Sequence, residues 1–172
     1  MFYKILKNFF LKKNVKKRLL NQPLLSKQQK IKTIGVLVDE SYFSHTSSLL
    51  EEILKEGFVK DQVKVLIYKD KIRSKEEIIF PCISRKNISI SGEIDKKEVL
   101  DFLNQPFDLL VNYYDTNKFP IMLLSVKSNA LFKVGFDTVD KRVNHFIIKE
   151  SIENYKSFTS ELFKYLKILN KL

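Results

Sequence analysis

The residues of this sequence best placed for chemistry stand where apolar runs end. Asp39 and Ser41 follow the run Ile34 to Val38, Asp115 follows FDLLVNYY, and Asp137 follows LFKVGF. In an open parallel sheet, ligands bind beyond the carboxyl ends of the strands, so these four residues mark a candidate ligand crevice. Three carboxylates around one crevice would suit a metal ion or an acid/base pair. Asp and Ser after strands are also ordinary turn formers and helix caps, and this simpler account carries more weight.

The segment DESYFSHTSS (39–48) leads into a helical pattern. Free N–H groups at a helix start can hold a phosphate. Nucleotide-binding loops of the GxGxxG or GxxxxGK[ST] type use glycine so that backbone can approach phosphate closely, and this segment has no glycine. Dinucleotides and P-loop nucleotides are therefore not expected. His45 could act as a general base, but a lone histidine at a helix start is more often a cap or surface residue. The single cysteine, Cys82, and the two histidines, His45 and His145, show no CxxC or HExxH spacing, and GxSxG is absent. No metal, cofactor or catalytic residue is expected.

The charge is more informative. Net charge is +11, and residues 1–32 hold ten Lys/Arg and no acid, while the other 140 residues carry 21 basic and 20 acidic side chains. Such asymmetry suits a polyanionic partner, either nucleic acid or an anionic membrane surface. At 100° per residue, Phe2, Ile5, Leu6, Phe9 and Phe10 share one broad face, the expected apolar docking face. Lys4, Lys7, Lys12, Lys13, Lys16, Lys17 and Arg18 supply the cationic surface. A third account folds this helix back on its own domain with its lysines in solvent.

These residues must be positioned by the elements between them. Residues 1–22 read as a basic helix, with Pro23 and SKQQK as a linker. Residues 1–31 form the expected arm and 32–172 the α/β domain. Strands are expected at Lys32–Val38, Val63–Tyr68, Ile78–Phe80, Ile88–Ile90, Phe107–Tyr114, Leu131–Phe136 and His145–Ile148. Helices are expected after Ser44, over Asp95–Leu103 with Asp95 as N-cap, over Pro120–Ser128 and over Ser151–Leu169. Alternating strands and helices, with near-continuous apolar strands, predict a single Rossmann-like or flavodoxin-like three-layer sandwich with a mostly parallel sheet.

The longest apolar runs are about five residues, against the ~20 needed to span a bilayer. Lysines interrupt every apolar stretch near the N-terminus, unlike a secretory signal. One cysteine allows no intramolecular disulfide, and cytoplasmic residence is expected.

Over most of its length the chain resembles an uncharacterised family of bacterial proteins from Bacteroidota, a domain of unknown function. The stretches that carry the likeness are KTIGVLVDE, FDLLVNYYD, SNALFKVGF, ELFKYLKILNKL and the basic leader. This resemblance implies no activity, cofactor or catalytic residue. Locally, Phe107 to Phe136 is similar to the N-terminal half of heptosyltransferase-like glycosyltransferases, which implies a Rossmann-like half. That activity also uses a second nucleotide-sugar domain, for which the chain has no room.

The expected function is that of a non-catalytic α/β binding module whose basic arm attaches to a polyanionic assembly. RNA, in a ribosome-associated role, stands slightly ahead of a membrane surface. A protein neighbour for the Phe-rich face, and a small-molecule or glycosyltransferase-like site around Asp39, Ser41, Asp115 and Asp137, complete the alternatives.

Overall fold

Four runs of apolar residues with little polar interruption become the central strands of one sheet: β1 (Ile34–Asp39), β2 (Val63–Lys69), β4 (Leu109–Tyr113) and β5 (Phe132–Phe136). Two three-residue strands, β3 (Cys82–Ser84) and β6 (Phe146–Ile148), flank them. The computed structural model describes residues 2–20, 29–72 and 77–172, and for Phe2 the backbone alone. The expected linker at Pro23 lies outside the described residues.

The sheet has the order β3-β2-β1-β4-β5-β6, and every strand pair is parallel. This is the doubly wound Rossmann order, with its topological switch point between β1 and β4. Parallel strands need crossover connections, so both faces of the sheet are covered. Helices α2 (Thr46–Lys55) and α5 (Tyr155–Ile168) bury Leu49, Ile53, Phe158, Leu162 and Phe163 on one face. Helices α3 (Lys97–Asn104) and α4 (Phe119–Lys127) bury Val99, Phe102, Ile121 and Leu124 on the other.

The N-terminal helix α1 (Phe2–Leu20) belongs to that second face. Leu11, Val15 and Leu19 are buried in the core, at the i, i+4, i+8 spacing of one helical stripe, and α1 lies against α4. Helix α1, within the segment expected to form an arm, thus packs on the sandwich through this stripe.

Three sequence expectations are corrected. Ile78–Phe80 is not a strand; β3 begins after Pro81, at Cys82. Ile88–Ile90 makes only an isolated antiparallel bridge, from Ile88 to Ile94. The third helix is capped by Lys96, without a side-chain bond, and not by Asp95. In addition, α5 starts four residues later than expected. The Glu150 carboxylate accepts hydrogen bonds from Ser151 N, Asn154 Nδ2 and Ser157 Oγ, which folds residues 151–154 into a turn before the helix.

Among the described residues, no helix is long and apolar enough to cross a membrane.

Candidate functional site

Asp39 ends β1, at the switch point, and is almost wholly buried. Its Oδ1 accepts the Ser41 N–H at 2.9 Å, and its Oδ2 pairs with Lys118 Nζ at 2.7 Å. Lys118 is the N-cap residue of α4, so its side chain can reach back to the sheet edge. It also pairs with Asp70 at 2.9 Å and lies 4.4 Å from the ring centroid of Tyr42. The Tyr68 hydroxyl donates to Asp70 at 3.0 Å, and Ser41 Oγ accepts the Asp70 N–H at 2.9 Å.

Burial opposes the charge on Lys118, but its hydrogen bonds to Asp39 and Asp70 outweigh that cost and raise its pKa. For Asp70 burial again acts against charge, and hydrogen bonds from Lys118 and Tyr68 more than compensate, lowering its pKa. Beside this cluster, Glu40 pairs with Lys69 at 3.1 Å and accepts from the Thr46 hydroxyl at the start of α2. A carboxylate of the chain itself therefore stands where a nucleotide-binding fold presents its phosphate.

The four residues expected to line a crevice are divided between two roles. Asp39 and Ser41 come together, while Asp115 and Asp137 stay in the turns after β4 and β5. Asp115 Oδ1 accepts from Thr116, its carbonyl accepts from Thr138 Oγ1 at 2.7 Å, and the Asp137 N–H donates to Ile148 O at 3.3 Å. The cation that pairs with Asp39, Lys118, and the second carboxylate on that cation, Asp70, are not marked by the sequence. Only the Phe-Pro pair after Lys118, which suits a helix start, hints at that lysine. Among the described residues, no group of three or more His, Cys, Asp or Glu could hold a metal ion.

Under α4 lies a second, buried polar cluster. Ser125 Oγ donates to Asn112 Oδ1 at 2.8 Å and pairs with the Tyr114 hydroxyl at 2.7 Å, and Asn112 Nδ2 donates to Asn144 Oδ1 at 2.7 Å. Lys133, on β5, donates from Nζ to the Ser125 carbonyl at 2.7 Å. It is closed off from solvent and ties α4 to the sheet.

The remaining candidate surface is α1. Its N-terminal half meets the chain just after β3: Lys7 Nζ donates to the Arg85 carbonyl at 2.8 Å, and Arg85 Nη2 donates to Lys4 O at 3.0 Å and Asn8 Oδ1 at 2.7 Å. Further along, Asn14 Nδ2 donates to Ser91 O at 2.7 Å. Lys7 is therefore buried, and burial together with Arg85 lowers its pKa. It is a packing residue in this structure, unlike Lys4, Lys12, Lys13, Lys16, Lys17 and Arg18, which are exposed.

The expected apolar face is turned outward. Tyr3, Ile5 and Phe9 are 61%, 60% and 63% exposed, and Leu6 and Phe10 are also exposed. The side chain of Phe2 lies outside the described residues. Beyond Leu11 the outward face changes to lysine and arginine. The stripe that packs on the domain, Leu11-Val15-Leu19, was legible as an i, i+4 series, but the Phe-rich face at the N-terminus is the more conspicuous pattern.

Fold and surface together define a Rossmann-type α/β protein whose switch point holds the ion pairs of Lys118 with Asp39 and Asp70 and whose first helix presents an apolar-cationic face. The chain belongs to a family of unknown function (DUF6913), whose model matches residues 7–169. No curated protein and no solved structure matches it.

Proposed function

We propose that this protein attaches to an anionic lipid surface, from the cytoplasmic side, through the outward face of α1. The observation that carries this reading is the division of labour on the helix. Leu11, Val15 and Leu19 meet the domain's own need for packing, and Ile5, Leu6, Phe9 and Phe10 remain outside it. A contiguous exposed patch of large apolar side chains marks an interaction surface. With lysines on either side and no acid on the helix, it matches the pattern of a helix lying in the interface plane. Each basic residue near an anionic leaflet contributes about 1 kcal/mol. The single cysteine, Cys82, is buried and allows no intramolecular disulfide, which accords with a reducing compartment.

RNA is the second reading. Lys12, Lys13, Lys16, Lys17 and Arg18 are all exposed on about two turns, a density that also suits phosphates. It makes no use of Ile5 and Leu6, and so ranks behind the membrane. A small ligand at the carboxyl edge has less support, because Lys118 and its two carboxylates fill the switch point.

Vesicle flotation tests the proposal. The protein is expected to float with vesicles containing phosphatidylserine and not with phosphatidylcholine alone. Replacing Ile5, Phe9 and Phe10 together by Ser should abolish flotation without changing the thermal midpoint, since these side chains are exposed. Flotation unchanged by the triple replacement, or none at low salt, sinks the membrane reading; salt-sensitive retention of RNA on a filter in the same samples would favour the second.

A further inference from the structure

Among the described residues, no strand pairs with the amino-terminal half of β2 on its outer side. β3 pairs with β2 only from Ile67↔Cys82 to Lys69↔Ser84. The Ile67 N–H donates outward to Pro81 O at 2.9 Å, so Val65, two residues earlier, also directs its N–H and C=O outward. Carried back by two residues, the register would place Val65 opposite Phe80, and the Val65 carbonyl would accept the N–H of residue 81. Residue 81 is proline and has none. The β3 ladder therefore stops, and the backbone groups of Val65 have no ladder partner among the described residues. Beside them opens a groove of about 440 Å³, lined by Leu50, Val63, Val65, Phe80 and Phe102.

We propose that this half-edge binds an extended peptide by strand addition. The peptide backbone pairs with Val65, one large apolar side chain enters the groove, and a basic side chain meets Glu98 and Asp101 at the α3 rim. The groove lining includes no residue of α1, and the proposal is independent of the membrane reading.

Two other occupants fit less well. A second copy of this chain, joined edge to edge about a two-fold axis, would set Lys64 against its own counterpart, and like charges directly opposed are destabilising. A small apolar molecule would fill the groove and leave the Val65 N–H and C=O unpaired, which is costly in a dried site. A peptide satisfies both backbone groups. Charge then sets its character: Glu98 and Asp101 are exposed on α3, and Lys60 and Lys64 stand on the strand side, so the residue turned toward α3 should be Lys or Arg.

The test uses the full chain, isotope-labelled, titrated with the end-capped peptide Lys-Val-Leu-Val-Lys. Saturable amide shifts centred on Val63 to Val65, with slowed hydrogen exchange at the Val65 amide, are expected. The same peptide with alternate amides N-methylated should bind about tenfold more weakly in the register that faces β2, as the loss of about one hydrogen bond requires. Asp101→Lys, at an exposed position, should weaken the basic peptide and leave its Lys-to-Gln analogue unaffected. No saturable binding, equal affinity of both N-methylated registers with the parent, or shifts centred away from β2 would overturn the proposal.

Discussion

Lys133 shows how a single side chain can couple packing to proton binding. Its stem runs through the core side of β5, and its ammonium reaches the Ser125 carbonyl near the end of α4. A cation at a helix C-terminus is favourable. Burial nevertheless disfavours the charge, and the pKa falls from 10.5 to about 8. In the unfolded chain the lysine keeps its ordinary value, so between about pH 8 and about 10.5 the unfolded state binds more protons. Stability contributed by this group therefore rises with pH across that window, and the charging cost is fully present below it. Relative to Lys133→Met, the wild-type chain should gain about 3 kcal/mol of unfolding free energy over the window, read from urea melts at several pH values. Parallel pH profiles for the two proteins would mean that Lys133 is hydrated in the folded state. Nothing in the sequence marks Lys133, because a lysine in KVGF reads as an outward position on a strand. It is buried because α4 lies over it.

At the scale of elements, α1 is a helix with two working faces. One is closed by the domain through Leu11, Val15 and Leu19, and the other is open through Ile5, Phe9 and Phe10. An isolated basic helix of this length is marginal in water, since most helix stability comes from a packed apolar stripe. Val15→Asp places a carboxylate in that stripe and should release the helix. Trypsin would then cut at Lys12 to Arg18 within the time in which the wild-type chain resists, and a fragment retaining the α/β sheet should persist. If the variant resists as well as the wild type, the stripe does not hold α1. Strands β1, β2, β4 and β5 were legible because each is largely buried and so mostly apolar. β3 was not, because three residues carry no period. Its start is set by Pro81 lying across from β2, a relation between segments distant in sequence.

For the whole molecule, charge and topology are separable. The basic excess lies within residues 1–32, and the rest of the chain is close to neutral. Binding driven by exposed lysines on α1 should therefore weaken as salt shortens the Debye length, which is about 10 Å at 0.1 M. The apolar contribution of Ile5, Leu6, Phe9 and Phe10 is not screened. Flotation with anionic vesicles is thus expected to fall with salt to a residual level, and the Ser triple variant should show none at any salt. A salt-independent wild type would show that the lysines are bystanders.

The sequence by itself determined the α/β alternation, the four main strands, the N-terminal helix and the concentration of charge on it. Each follows from local periodicity or from composition, which do not depend on what lies nearby in space. It did not determine that the strands assemble as β3-β2-β1-β4-β5-β6, that Lys118 bridges Asp39 and Asp70 at the carboxyl edge, or that Leu11, Val15 and Leu19 face inward while Phe9 faces out. Those outcomes depend on which buried surfaces meet. Asp39 and Lys118 are 79 residues apart and share a site only because β1 and β4 are neighbours at the switch point. The two apolar stripes of α1 are alike in chemistry, and only α4, packed against one of them, decides which is core and which is surface.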